Sequence, residues 1–285
     1  MSTGRIRDTR HDGGRLSQPA HAHDTPATPL RPPLKWAGGK RWQIPHLRPL
    51  WDPHRHRRLV EPFCGGLAVA LGLGPRRALL NDTNAHLIHF YQWIKRGLLI
   101  DLQMRNQRLA FYQSRTRFNQ LLDDGLESSA EAAGLFYYLN RTGYNGLCRF
   151  NRQGRFNVPF GRHTRINYVR NFEAYRDAFV GWRFTNRDVV QVLLKPDDFV
   201  YADPPYDVPF TQYSKNGFDW DHQVRAATWL ARHPGPVILT NQATDRVVEL
   251  YSRLGFRLTF LLAPRMISCT GERRPAREVI ATRNV

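Results

Sequence analysis

Four consecutive residues, Asp203-Pro204-Pro205-Tyr206, combine groups suited to activating an aromatic amine. They directly follow the apolar run Phe199-Val200-Tyr201-Ala202, which reads as a β-strand. That places the motif at a strand's carboxyl end, where open α/β sheets bind ligands. An aromatic amine is a poor nucleophile because its lone pair is delocalised into the ring. Asp203 can accept a hydrogen bond from one N–H. The Pro204 carbonyl can accept the other, with two prolines restraining the backbone that carries it. Together they draw the lone pair out of conjugation and toward a sulfonium methyl. Tyr206 offers a ring on which a flipped base can stack. The same four letters also serve as a Pro-rich turn with a capping Asp, so the motif alone leaves both uses open.

A second cluster lies upstream. Glu61-Pro62-Phe63-Cys64-Gly65-Gly66 follows one strand candidate and precedes an apolar helical segment. Its glycines let backbone approach a ligand closely. Asp82 ends the next strand, where a carboxylate can hold ribose hydroxyls. An ordinary strand–helix turn with an acidic N-cap is the plainer use of the same residues. The glycines do not make a G-x-G-x-x-G, so a dinucleotide site is not indicated. Cys64, Cys148 and Cys269 are far apart, which is neither a zinc pattern nor a disulfide framework. No Pro-Cys nucleophile of the cytosine-C5 kind is present, and neither a metal nor a covalent enzyme intermediate is expected.

The elements that must position these groups read as a βαβ start to a doubly wound sheet. Strands are expected at Arg58–Glu61 and Arg77–Leu80, with a helix over Leu67–Leu73 between them. A further helix over about Asn84–Arg96 carries Leu87, Ile88, Tyr91 and Ile94 on one side and stops at Gly97. The middle of the chain is polar and helical. Ser128 and Glu131 have capping-box spacing ahead of Ala132, Leu135, Phe136 and Leu139. A Gly/Asn/Arg/aromatic segment then runs from Arg141 to Arg162. Sheet signals return at Phe199–Ala202, Val237–Thr240, Phe256–Leu262 and Glu278–Thr282, the last two as an antiparallel pair joined by the basic loop 264–276. Residues 1–30 read as a flexible polar tail. The run His54-Arg55-His56-Arg57-Arg58 reads first as a solvated loop, with a phosphate contact as its second use.

The chain has 285 residues, 41% hydrophobic, and a formal charge of +18 from 42 Lys plus Arg against 24 Asp plus Glu. That composition excludes a disordered chain and favours a polyanionic partner. The excess is mostly Arg, dense around 141–187 and 265–283, which matches phosphates and guanine edges better than a membrane surface. No 18-residue apolar run and no signal segment stand out, so no membrane partner and a cytoplasmic location are expected.

Longer segments carry a family resemblance. Lys35-Trp36-Ala37-Gly38-Gly39-Lys40, Glu61-Pro62-Phe63, Asn140 through Asn151, Phe156-Asn157-Val158-Pro159-Phe160-Gly161 and the Asp-Pro-Pro-Tyr motif stand in the order seen in Dam-type (D12 class) DNA adenine-N6 methyltransferases. The resemblance covers roughly residues 33 to 283. It implies an α/β fold, a Rossmann-like class I S-adenosylmethionine-dependent methyltransferase sheet with an inserted helical target-recognition domain. The catalytic domain would comprise 31–85 and 169–285, and the recognition domain 86–168. It further implies S-adenosyl-L-methionine as cofactor and double-stranded DNA as partner, with a monomer the expected state. Catalytic roles would fall to Asp203, Pro204, Pro205 and Tyr206. Trp36, Lys40, Asp82 and Asp203 would contact the cofactor, with Glu61, Phe63 and Gly65 in the same pocket. Tyr144 would wedge into the base stack, and Asn145, Leu147 and Arg149 would read bases. Lys35 and Pro159 match further base-contacting positions, and Arg141, Asn151 and Arg162 match backbone-contacting ones. These positions imply 5′-GATC-3′ as target. The chain departs from the pattern after Tyr206, where Phe210-Thr211-Gln212-Tyr213 follows quickly, and after Met266, where Ile267 to Glu272 precede Arg273-Arg274. Action on RNA or on cytosine N4, a non-catalytic DNA-binding protein and a DNA-coating protein are the competing uses of the same charge and motif.

Overall fold

The computed structural model describes residues 30–207, 218–263 and 276–285. Among them, seven strands form one sheet in the order β3-β2-β1-β4-β5-β7-β6. Strands β1 (Leu59–Glu61), β2 (Ala78–Asn81), β3 (Trp182–Thr185), β4 (Phe199–Ala202) and β5 (Val237–Gln242) pair in parallel. β7 (Ala276–Arg283) is antiparallel to both its neighbours, β5 and β6 (Arg257–Ala263). The four expected sheet segments of the second half are therefore strands, and the last two form the expected antiparallel pair. β3 is the strand the sequence does not announce. It is four residues long and one face is open, so Trp-Arg-Phe-Thr carries too little apolar signal.

β1, β2 and β4 are buried along their whole length, as expected for parallel strands covered on both faces. Alternate residues point to opposite sides. Leu59, Leu80, Tyr201 and Ile238 join one apolar cluster with α1 (Ile44–Trp51), α2 (Ala68–Leu73) and α3 (Ala85–Arg96). Val60, Leu79, Val200 and Leu239 join another with α7 (Trp220–Ala231) and α8 (Asp245–Arg253). The β2-to-β3 crossover carries α3, α4 (Arg108–Asp123), α5 (Ala130–Thr142) and α6 (Glu173–Ala178). The helices of this crossover share the first cluster with the sheet.

Local signals explain the helix ends. Asn84 caps α3 by accepting from Leu87 N at 3.2 Å, and Gly97 ends it with φ 95°. α5 is capped one residue later than expected. Ser129 Oγ accepts from Ala132 N at 3.1 Å, while the Ser128 carbonyl accepts from Trp93 Nε1. Glu131 does not complete a capping box; it pairs with Arg117 through two hydrogen bonds of 2.6 and 2.8 Å. The basic run before β1 also differs from a purely solvated loop. Arg58 makes a two-pronged contact with the buried Asp198, at 2.8 and 2.6 Å, which ties the entry of β1 to the entry of β4.

Residues 143–160 fold back on themselves through two antiparallel bridges, Gly143 with Phe160 and Phe150 with Phe156. His86 at the start of α3 stacks on Phe150, centroids 4.7 Å apart and planes within 20°. Its Nδ1 is buried without a partner among the described residues. Burial, then His89, pulls its pKa from 6.5 down to about 4. Because the folded value lies below the unfolded one, stability is full above about pH 6.5 and is lost progressively down to about pH 4, by up to about 3 kcal/mol. Denaturant unfolding at about pH 7.5 and pH 5 reads this. His86→Phe, which keeps a ring against Phe150, is expected to flatten the drop; an undiminished drop would refute the assignment to His86.

Candidate active site

The sheet order reverses between β1 and β4, which are paired with Leu59 beside Phe199 and Val60 beside Val200. The glycine turn after β1 and the Asp203 motif after β4 therefore leave neighbouring strands at the switch point of the fold. Asp203 is held on both oxygens. Thr240 of β5 donates to Oδ1 at 2.9 Å, and Lys40 Nζ pairs with Oδ2 at 2.9 Å. Lys40 also donates to the Gly38 carbonyl at 2.8 Å and lies 4.5 Å above the Tyr206 ring. Lys40, distant in sequence, thus meets Asp203 and Tyr206 at one point. Pro204 is buried and Pro205 is exposed.

Two further carboxyls surround this point. Glu61 is buried, and its Oε1 has no partner among the described residues. Burial, then the charge of Asp203, pushes its pKa well above the usual carboxylate range. Glu278 of β7 accepts from Gln43 Nε2 at 2.8 Å. Burial raises its pKa, with Lys40 pulling the other way. Burial, then Asp203 and Glu278, likewise raises the Tyr206 phenol. Asp203 with Glu278 and Glu61 near it, the last with an oxygen unpartnered among the described residues, suits a ligand carrying cationic centres.

The glycine turn forms the other wall. Gly65 has φ 43°. A Cβ on it would lie 2.6 Å from Trp36 Nε1, and one on Gly66 2.7 Å from Trp36 Cβ. Trp36 therefore packs directly on the turn, at a distance only glycine allows. Gly65 N donates to Asp82 Oδ2 at 3.0 Å and Asn84 N to Oδ1 at 2.9 Å. Tyr91 OH donates to the Gly65 carbonyl at 2.8 Å. Burial raises the Asp82 carboxyl, partly offset by those two amides. Phe63 meets Phe218 edge to face at 5.6 Å. A cradle of aromatic ring, open backbone and a fixed carboxylate fits an adenosyl group joined to an amino-acid moiety. Both described thiols are poorly suited to attack: burial pushes Cys64 up and Cys148 to about 12.

The expected DNA contacts differ in how far the protein itself engages them. Lys35 is tied to the inserted segment: its N–H donates to Asn140 Oδ1 at 2.9 Å, and Asn140 Nδ2 donates to the carbonyls of Lys35 and Gly146 at 2.8 and 3.0 Å. Its ammonium donates to the Arg141 carbonyl at 3.1 Å and lies 3.1 Å from His163 Nε2. Burial, then Arg141, lowers its pKa. Tyr144, Asn145 and Pro159 are exposed together, with Tyr144 N donating to the Pro159 carbonyl at 2.9 Å. Tyr144 is 50% exposed. Arg149 is half-buried, with Nε on Asn157 Oδ1 at 2.8 Å. Other positions are engaged within the protein. Arg141 donates to the Asn167 carbonyl, Asn151 Oδ1 accepts from the amides of Gln153 and Arg155, and Leu147 packs on the core. Arg162 is exposed with φ 47°.

Sequence reasoning assigns no role to Thr240, Gln43, Glu278, Asn140 or His163. Thr240-Asn241 could have been noticed, as polar residues at the end of an apolar strand. The segments at Phe210–Tyr213 and Ile267–Arg274, Cys269 and residues 1–29 lie outside the described residues.

Residues 36–261 match the model of the family described as D12 class N6 adenine-specific DNA methyltransferase. The chain is 34% identical over 266 residues to the DNA adenine methylase of Escherichia coli strain K12, covering 85% of this chain and 90% of that one. It is 33% identical over 270 residues to the retron Ec67 DNA adenine methylase of Escherichia coli, covering 87% and 90%. It is 35% identical over 260 residues to the DNA N-6-adenine-methyltransferase of Escherichia phage P1, covering 85% of this chain but 34% of that protein, so the chain spans about a third of that relative's length.

Proposed function

The chain belongs to the D12 class of N6 adenine-specific DNA methyltransferases, and on that premise we propose that it methylates adenine in 5′-GATC-3′ of duplex DNA, directly from S-adenosyl-L-methionine, with the adenine flipped out of the stack. The meeting of Asp203, Lys40 and Tyr206 at the carboxyl ends of adjacent strands carries this reading. Among the described residues no helix is long and apolar enough to cross a membrane. The working form is a monomer in the cytoplasm.

The cofactor supplies an electrophilic methyl on a sulfonium. Trp36, the Gly65 backbone and Asp82 would hold its adenosyl half. Lys40 would hold the methionyl carboxylate, and Asp203 Oδ2 accepts the adenine N–H. The Pro204 carbonyl accepts the second N–H. The N6 lone pair is then localised on nitrogen; as N6 takes the methyl, the methyl–sulfur bonding pair would leave on a neutral thioether, and Asp203 takes the N6 proton. Tyr206 stacks on the extruded base. Residues 86–168 act as the recognition unit: Tyr144 fills the gap in the stack, and Arg149, with Lys35, Asn145, Leu147 and Pro159, reads base edges. Arg141, Asn151 and Arg162 lie along the phosphates.

Purified protein, S-adenosyl-L-methionine and a duplex with a single GATC site are expected to yield N6-methyladenine in that site. Methylated cytosine, or activity confined to RNA, would refute the proposal. Asp82→Ala is expected to raise the cofactor Kd about 10- to 100-fold by calorimetry, since a charged hydrogen-bond partner contributes about 1.5–3 kcal/mol. Unchanged cofactor affinity would remove Asp82 from the binding site.

A further inference from the structure

The catalytic turn is gripped from behind by two buried amides that the activation of adenine does not use. Gln223 of α7 and Asn241 of β5 are 2% and 0% exposed, in the layer between the sheet and its second helical face. An unpaired polar group there costs about 1–3 kcal/mol. Their groups are paired in sequence toward the turn. Asn241 Nδ2 donates to Gln223 Oε1 at 3.1 Å and to Tyr251 OH at 3.2 Å. Gln223 Nε2 donates to the Pro205 carbonyl at 2.5 Å. Asn241 Oδ1 accepts from Asp207 N at 3.4 Å. The two amides thus hold the backbone immediately before and after Tyr206. Asp207 is further anchored by Arg246 and Thr244.

The backbone between Asp203 and Tyr206 has few soft torsions. Both proline rings fix φ, and the following Pro205 restricts ψ of Pro204. The ψ of Pro205 is left. It decides the direction in which Tyr206 leaves the turn, and the Gln223 hydrogen bond to the Pro205 carbonyl sets it. We propose that Gln223, itself oriented by Asn241, is a positioning residue for methyl transfer: it holds the Pro205 carbonyl away from the site and so fixes the Tyr206 ring relative to Asp203. This inference rests on Asp203–Tyr206 being the amine-activating turn.

The test is single-turnover methylation of a GATC duplex by wild type, Gln223→Met, Gln223→Glu and Asp203→Ala, each checked for cooperative melting. Gln223→Met keeps the volume and loses the donor. Its rate is expected to fall about 10- to 100-fold, as for a small misplacement of reacting groups, with the cofactor KM within about two-fold. Gln223→Glu keeps the acceptor for Asn241, and its carboxyl donates to the Pro205 carbonyl only when protonated. Relative to wild type its rate is expected to be low at about pH 8.5 and largely restored at about pH 6, because a buried Glu titrates well above its ordinary value. Wild-type rates in Gln223→Met, or a Gln223→Glu loss equal at both pH values, would overturn the inference while an inactive Asp203→Ala upheld the turn. An active Asp203→Ala would overturn the reading of the turn itself.

Discussion

Asp203→Ala is expected to lower the rate of methyl transfer by about 10³-fold or more while GATC duplex affinity stays within a few-fold of wild type. Removing one preorganised group aimed at developing charge costs about 10²–10³ in turnover, and Asp203 has two duties, accepting the N–H and taking its proton. The loss should not spread to the fold. Asp203 sits after β4 rather than in it, its side chain is 18% exposed, and Lys40 keeps both the Gly38 carbonyl and the neighbouring Glu278 charge when the carboxylate is gone. The proposed DNA contacts around Tyr144 and Arg149 are on a different segment. Single-turnover assays with adenine readout, alongside fluorescence-anisotropy binding, separate these effects. Near-normal turnover in Asp203→Ala would end the proposed mechanism, and a parallel loss of binding would make Asp203 structural.

Arg149→Ala carries the largest expected effect on specificity. Arg bidentate to guanine O6 and N7 is the commonest specific base contact and is worth about 1–3 kcal/mol of discrimination. Asn157 Oδ1 already holds the Arg149 Nε at 2.8 Å, and the Asn157 carbonyl lies 3.4 Å from its Nη2. The guanidinium is therefore partly immobilised before DNA arrives, which lowers the entropy cost of ordering it. Measured as the ratio of kcat/KM on GATC to that on duplexes altered at the guanine, discrimination should fall about 5- to 150-fold, the range of that energy. Asn157→Ala should produce a smaller loss in the same direction. A uniform loss on all duplexes would instead make Arg149 a phosphate contact.

Much of this was legible in the residues. Asp203-Pro204-Pro205-Tyr206 after an apolar strand, and Gly65-Gly66 after another, placed both halves of the site at strand ends, and β1 and β4 turn out to be neighbours. Sequence periodicity could not show that adjacency, because register between strands far apart in the chain is decided by packing rather than by either strand alone. The same limit hid Thr240, Gln223 and Asn241. Each is polar and buried, so periodicity counts it as noise, and its purpose appears only when the Asp203 turn is seen against it. Ser128 shows the opposite failure: the cap chemistry is right but sits one residue later, at Ser129, since adjacent serines offer the same side chain. Residues 141–162 are legible as a Gly/Asn/Arg/aromatic composition, but not which side chains they use internally. Arg141, Asn151 and Arg149 look equally free in the sequence, yet the hydrogen bonds of each are partly satisfied within the protein.

The central claim is that a turn built for amine activation is aimed by the inserted segment at adenine in one sequence. Expression in a cell that lacks adenine methylation, followed by single-molecule sequencing of its DNA, tests this most directly. Modified adenine at GATC, on both strands and absent from the Asp203→Ala strain, is the expected result. Adenine signal dispersed over unrelated sequences, or no modified adenine from a well-expressed enzyme, would contradict it.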